Sequence, residues 1–170
     1  MNTLVCYYSR SGTTAAVARE IARVLDADIE EIHDNDSRSG PIGYLRSGRH
    51  ALSKKLADIR PLSHSCSDYD LVVIGTPVWA SRMASPVRAM VRANSNQVRA
   101  AAIFCTMGSS GAEKTFADMK SELGCPIVAE AAFKAKDVKG PLLPALVEPF
   151  AQSIAAAAFH SEQSNGVKPE

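Results

Sequence analysis

No stretch of this 170-residue sequence approaches the ~20 apolar residues needed to cross a bilayer. The apolar run after Met1 meets Arg10 within a few residues and lacks a basic leader, so it does not read as a signal peptide. Charge of one sign is missing too. Lys+Arg number 19 against 18 Asp+Glu, which leaves no global attraction to nucleic acid or acidic membranes. The four cysteines, Cys6, Cys66, Cys105 and Cys125, form no CxxC pair and have no histidine at metal-ligand spacing. No metal is expected. Reduced thiols in a cytoplasmic protein fit better than a disulfide framework. What is present is an ordinary globular composition, 46% hydrophobic and 22% charged, enough for one domain over residues 1–160 with a polar tail at 161–170.

Short apolar runs alternate with helical periodicity. Thr3 to Tyr8, Asp28 to His33, Leu71 to Gly75, Ala100 to Thr106 and Pro126 to Phe133 read as strands. The unbroken LVVIG run implies cover on both faces, the mark of a parallel sheet. Helices are predicted where Val17, Ile21 and Val24 recur, and where Phe116, Met119 and Leu123 recur before Gly124. Ser85-Pro86 reads as an N-cap with proline at the first helical position, and Leu143, Val147, Phe150 and Ile154 stripe a last helix. Pro144 and Pro149 obscure where its regular part begins. The long 34–65 connection is expected to hold a helix over Tyr44 to Leu56, carrying the basic residues Arg46, Arg49, Lys54 and Lys55. This alternation predicts a three-layer α/β sandwich around a five-stranded parallel sheet in the order 2-1-3-4-5.

In such a sheet, ligands bind beyond the carboxyl ends of the strands, where the strand order reverses. Three unusual segments leave strands one, three and four. Ser9-Arg10-Ser11-Gly12-Thr13-Thr14 offers four hydroxyls, one glycine and the free amides of a helix start, a set suited to phosphate oxygens or, alternatively, to ordinary helix capping. It is neither G-x-x-x-x-G-K-[ST] nor G-x-G-x-x-G. A Cys-based phosphatase loop also fails, because six residues after Cys6 stands Gly12 and not arginine. Thr76-Pro77-Val78-Trp79-Ala80-Ser81-Arg82-Met83 contains the sole tryptophan, either a packing residue or a wall for a flat ring. Thr106-Met107-Gly108-Ser109-Ser110-Gly111 exposes backbone amides, as a flexible turn before a helix also would.

Taken in order, these segments resemble the flavodoxin family. S-R-S-G-T-T is similar to its phosphate loop, G-T-P-V-W-A to its first flavin loop and F-C-T-M-G-S-S-G to its second. The resemblance implies that FMN is the cofactor. Ser9, Arg10, Ser11, Gly12, Thr13 and Thr14 would then hold the phosphate. Trp79 would flank the ring, with Pro77, Val78 and Ala80 along its edge. Thr106, Met107, Gly108, Ser109, Ser110 and Gly111 would close the other side. Two departures stand out. The second loop lacks the tyrosine many flavodoxins stack on the ring, and Ala80 replaces a glycine, so a positive φ there would be costly.

The resemblance implies an electron-transfer protein working with a redox partner. The alternative is an NAD(P)H-dependent quinone-type oxidoreductase, a homodimer whose partner chain covers the exposed ring. A receiver-like signalling domain is disfavoured, because hydroxyls and glycines stand where that function needs an acidic cluster. Near-neutral charge, with Arg10, Arg82 and Arg88 in or near the loops, predicts a flavin potential above that of strongly acidic flavodoxins. No acid, base or nucleophile stands out. Cys6 and Cys105 are expected in the core, and His33, His50, His64 and His160 at the surface.

Overall fold

The computed structural model describes residues 1–35 and 56–164. The first apolar run is buried throughout as β1 (Thr3–Tyr7). Alternate side chains supply the two faces of the sheet: Leu4 and Cys6 enter one core, Val5 and Tyr7 the other. Around β1 lie β2 (Asp28–Glu31) and β3 (Leu71–Trp79), both parallel to it. A two-residue strand, β4 (Arg82–Met83), pairs with the end of β3. Beyond β3 come β5 (Ala101–Met107) and β6 (Ile127–Lys134), again parallel. The order is β2-β1-β3-β5-β6 with β4 attached to β3. Without β4 this is the predicted 2-1-3-4-5 arrangement.

Helices cover both faces. Val17, Ala18 and Ile21 bury one side of α1 (Thr13–Leu25) on the face that also receives Phe150 and Ile154. Those two belong to α5 (Leu143–Ser164); α4 (Ala135–Val138) is a single turn. On the opposite face, Val87, Met90 and Val91 of α2 (Ser85–Asn94) pack in one cluster with Phe116, Met119 and Leu123 of α3 (Ala112–Leu123). No helix among the described residues is long and apolar enough to cross a membrane.

Several boundaries differ from the sequence expectation. Strand three runs four residues past Gly75 and folds back as a hairpin, because Trp79 pairs with Arg82 across Ala80 and Ser81. Ser85 is not the cap of α2. That position is Ala84, whose amide is bound by the buried Thr76 hydroxyl at 3.0 Å, so Ser85 and Pro86 fall inside the first turn. Pro144 is tolerated in the first turn of α5, where no intrahelical donor is needed, and the helix continues past Pro149 to Ser164. The helix expected over 44–56, His50 and the basic cluster lie outside the described residues, apart from Leu56.

Candidate functional site

Strand order reverses between β1 and β3, so the crevice of interest opens above those two strands. The loop leaving β1 closes on Gly12, which adopts φ 85° and is exposed. Its amide donates to Ser9 Oγ at 3.1 Å, and its carbonyl accepts the first helical bond from Ala16 at 2.9 Å. The amides of Thr13, Thr14 and Ala15 therefore precede the helical ladder, and the first turn of α1 holds no acidic residue. Such a helix start presents partial positive charge to an anion. Arg10, Ser11 and Gly12 are exposed, Ser9 and Thr13 half-buried. Thr14 differs: its hydroxyl points inward and lies 2.7 Å from Thr106 Oγ1, near the end of β5.

The second segment joins the first through rings. Trp79 is only 7% exposed and meets Tyr8, the neighbour of Ser9, edge-on at 5.5 Å between centroids. The hairpin tip then turns through Ala80 (φ 49°) and Ser81 (φ 58°). Two successive positive φ values suit the two-residue turns whose twist matches that of the strands. Alanine at φ 49° is the finding least expected from sequence, since each non-glycine residue there costs roughly 1–2 kcal/mol. The third segment locks onto that tip. Gly111, at φ 103°, caps α3; a Cβ on it would lie 2.8 Å from Val78 Cγ1 and 3.1 Å from the Ser81 Cα. Only a glycine permits this approach. Pro77 and Thr106 pair across β3 and β5, while Gly108, Ser109 and Ser110 are exposed and Met107 half-buried.

The family model described as Flavodoxin matches residues 2–139. This chain belongs to the flavodoxin family. Among curated proteins, a search finds no significant match. Solved structures share the fold. A flavoprotein from Lactobacillus acidophilus, determined in complex with FMN, aligns with a TM-score of 0.68 at 23% identity, covering 81% of this chain and 95% of that one. The flavodoxin, WrbA-like protein from Agrobacterium tumefaciens aligns at 0.59 and 14% identity over 94% and 98%. Oxidised flavodoxin 2 from Bacillus cereus aligns at 0.59 and 14% over 92% and 99%.

Within this flavodoxin-family fold, the charges near the loops differ from the sequence expectation. Arg88 does not face the crevice. It is wholly buried between α2 and α3, where it binds Asp118 and, at 2.9 Å, Glu122. Arg82 also reaches Asp118, at 3.4 Å. Carboxylates of α3 thus offset two of the three cations expected to raise the flavin potential. Cys105 is fully buried, and burial, with Glu130 adding, pushes its thiol up to about 12. It supplies no thiolate at neutral pH. His64 is not a bare surface residue, because its Nδ1 lies 2.5 Å from Glu30 Oε2. Tyr8, which reads as the end of a strand in sequence, is the part of the loop junction that no sequence signal marks; Ser81 lies in the expected second segment, but nothing local marks it as the stop for Gly111.

Proposed function

We propose that this chain binds FMN where the three loops meet and transfers electrons through it. The carrying observation is their convergence: Thr14 on Thr106, Tyr8 on Trp79, and Gly111 against Val78 and Ser81. The residues present fit such a group. An exposed hydroxyl loop surrounds an uncapped helix start, and a Cβ added at Gly12 or Gly108 would meet nothing within 4 Å. In this reading Ser9, Arg10, Ser11, Gly12, Thr13 and Thr14 hold the phosphate. Pro77, Val78, Trp79 and Ala80 border one side of the ring, and Thr106 through Gly111 the other. Thr14 acts partly from behind, by fixing the first turn of α1 to β5. Trp79 stands at that border only 7% exposed, packed perpendicular to the Tyr8 ring.

FMN, when bound, supplies the redox chemistry; the protein's part is to bind, orient and shield it. The Lactobacillus relative carries FMN on the same fold, which supports the cofactor. The electron source would be a redox partner protein, and a cytoplasmic location suits four free cysteines. A second reading, an NAD(P)H-dependent oxidoreductase, is favoured by one feature. The loop from Met107 to Gly111 has no aromatic side chain to cover the ring's outer face, so a small substrate has room to approach.

Protein purified without added flavin tests the cofactor. The expected result is a yellow sample whose absorbing group is released as FMN on denaturation. A colourless protein that gains no colour when titrated with FMN overturns the proposal. Consumption of NADPH by the purified protein alone would favour the second reading over the first.

A further inference from the structure

The sheet ends at β6, on whose outer side no described strand pairs. An unpaired edge is a template for another strand, and proteins protect such edges with charges that repel a second copy. The charges on β6 do not repel one. Glu130, Ala132 and Lys134 alternate along the strand on one face and are all exposed, whereas Phe133 points to the other face and is buried. Opposite charges therefore stand two positions either side of Ala132.

Suppose two such strands run antiparallel about a two-fold axis at Ala132, normal to the sheet. Residue 130 of each copy then lies opposite residue 134 of the other. The Glu130–Lys134 pair forms twice, and cross-strand pairs of this kind are favourable. Small side chains at Ala131 and Ala132 leave the centre free of bulk. Glu130 also binds Lys120 at 2.6 Å, but both side chains are nearly half exposed and the carboxylate remains open to a further partner.

The neighbouring helix adds a second complementary feature. A groove of about 360 Å³ runs between β6 and α5, with Phe133, Leu146, Pro149 and Phe150 in its walls. Leu146 in that wall is 39% exposed, and Leu142, just before α5, is 67% exposed. A two-fold normal to the sheet keeps equivalent faces on the same side, so the α5 helices of two copies would lie next to each other. Their leucines would cover apolar surface that a single copy leaves in water.

We infer that two copies of this chain associate through β6, joining their sheets edge to edge with Glu130 of each opposite Lys134 of the other. This interface lies on the outer side of β6, whose inner side pairs with Thr106 and Met107 at the end of β5. It does not depend on the proposed cofactor.

Sedimentation velocity on the full chain, over a concentration series, is the first measurement. A dimer is expected, and a monomer at every concentration overturns the inference. The charge pattern then gives a specific test. Glu130→Lys and Lys134→Glu each place like charges opposite one another twice, and each should weaken the dimer by roughly tenfold or more. The double variant E130K/K134E restores opposite pairs and should restore the dimer. Circular dichroism confirms that each variant is folded. Dimerisation unchanged in both single variants, or not recovered in the double one, overturns the proposed pairing.

Discussion

Thr14 and Thr106, 92 residues apart in sequence, face each other with their hydroxyl oxygens 2.7 Å apart and shielded from water. One stands in the first turn of α1 and the other near the end of β5. Their bond ties the start of α1 to the end of β5, on the far side of β3. β1 and β5 are not neighbours in the sheet, since each pairs with β3 between them.

This pair predicts a thermodynamic coupling. Thr14→Val or Thr106→Val alone leaves a buried hydroxyl without its partner, at about 1–3 kcal/mol. Replacing both with valine removes the mismatch, so the double variant should cost clearly less than the two singles summed. Urea unfolding of all four proteins measures the coupling, and strict additivity would show that the bond contributes nothing.

Gly111 and Gly124 form a matched comparison. Both have positive φ, but a Cβ at Gly124 meets nothing within 4 Å, whereas one at Gly111 strikes Val78 and Ser81. Gly124→Ala should cost only the left-handed backbone term, roughly 1–2 kcal/mol. Gly111→Ala should cost more and should also weaken FMN binding by displacing the hairpin tip. Equal losses of stability in the two variants, with unchanged flavin affinity, would contradict this role for Gly111.

The Arg88 cluster separates a buried ion pair from an exposed one. Asp118→Ala would leave a wholly buried guanidinium with Glu122 as its remaining carboxylate partner, with an expected loss toward the lower end of roughly 3–5 kcal/mol. Arg92 binds Glu122 at 2.8 Å but is 46% exposed, so Arg92→Ala should cost less than about 1 kcal/mol. Thermal unfolding of both variants reads the contrast directly. Similar melting temperatures for the two would refute it.

Glu30 predicts an acid-side dependence of stability. Burial pushes its carboxyl up, but the Ser63 amide, at 3.0 Å, and the His64 ring outweigh that, and the net shift is downward. A folded pKa below the unfolded one means that the unfolded chain binds the proton more tightly. The stabilisation is therefore complete above the usual carboxylate value of about 4.3 and is lost as pH falls through the folded value. Glu30→Gln should be less stable than wild type at neutral pH, and the gap should narrow below about pH 4. Melting temperatures from pH 7 to pH 3 test this; a constant gap would assign the loss to something other than ionisation.

Much of this protein is written in short-range pattern. The LVVIG run is apolar on both faces and demands a covered parallel strand wherever it sits. The hydroxyls and glycine from Ser9 to Thr14 favour a helix start open to an anion, because those side chains prefer capping and turn geometry. Strand order followed from the alternation of elements, since handedness and cover leave few arrangements. What tertiary structure alone decided was how partners distant along the chain are matched. Arg88 lies in a stretch whose sequence suggests an exposed cation, yet Asp118, thirty residues on, makes its burial affordable. Ala80 and Ser81 carry no local signal for positive φ. They adopt it because Trp79 is drawn onto Tyr8 and Arg82 pairs back across the turn. A local sequence sets the preferences of a few residues, each a kilocalorie or so; packing contacts, summed over the fold, override them.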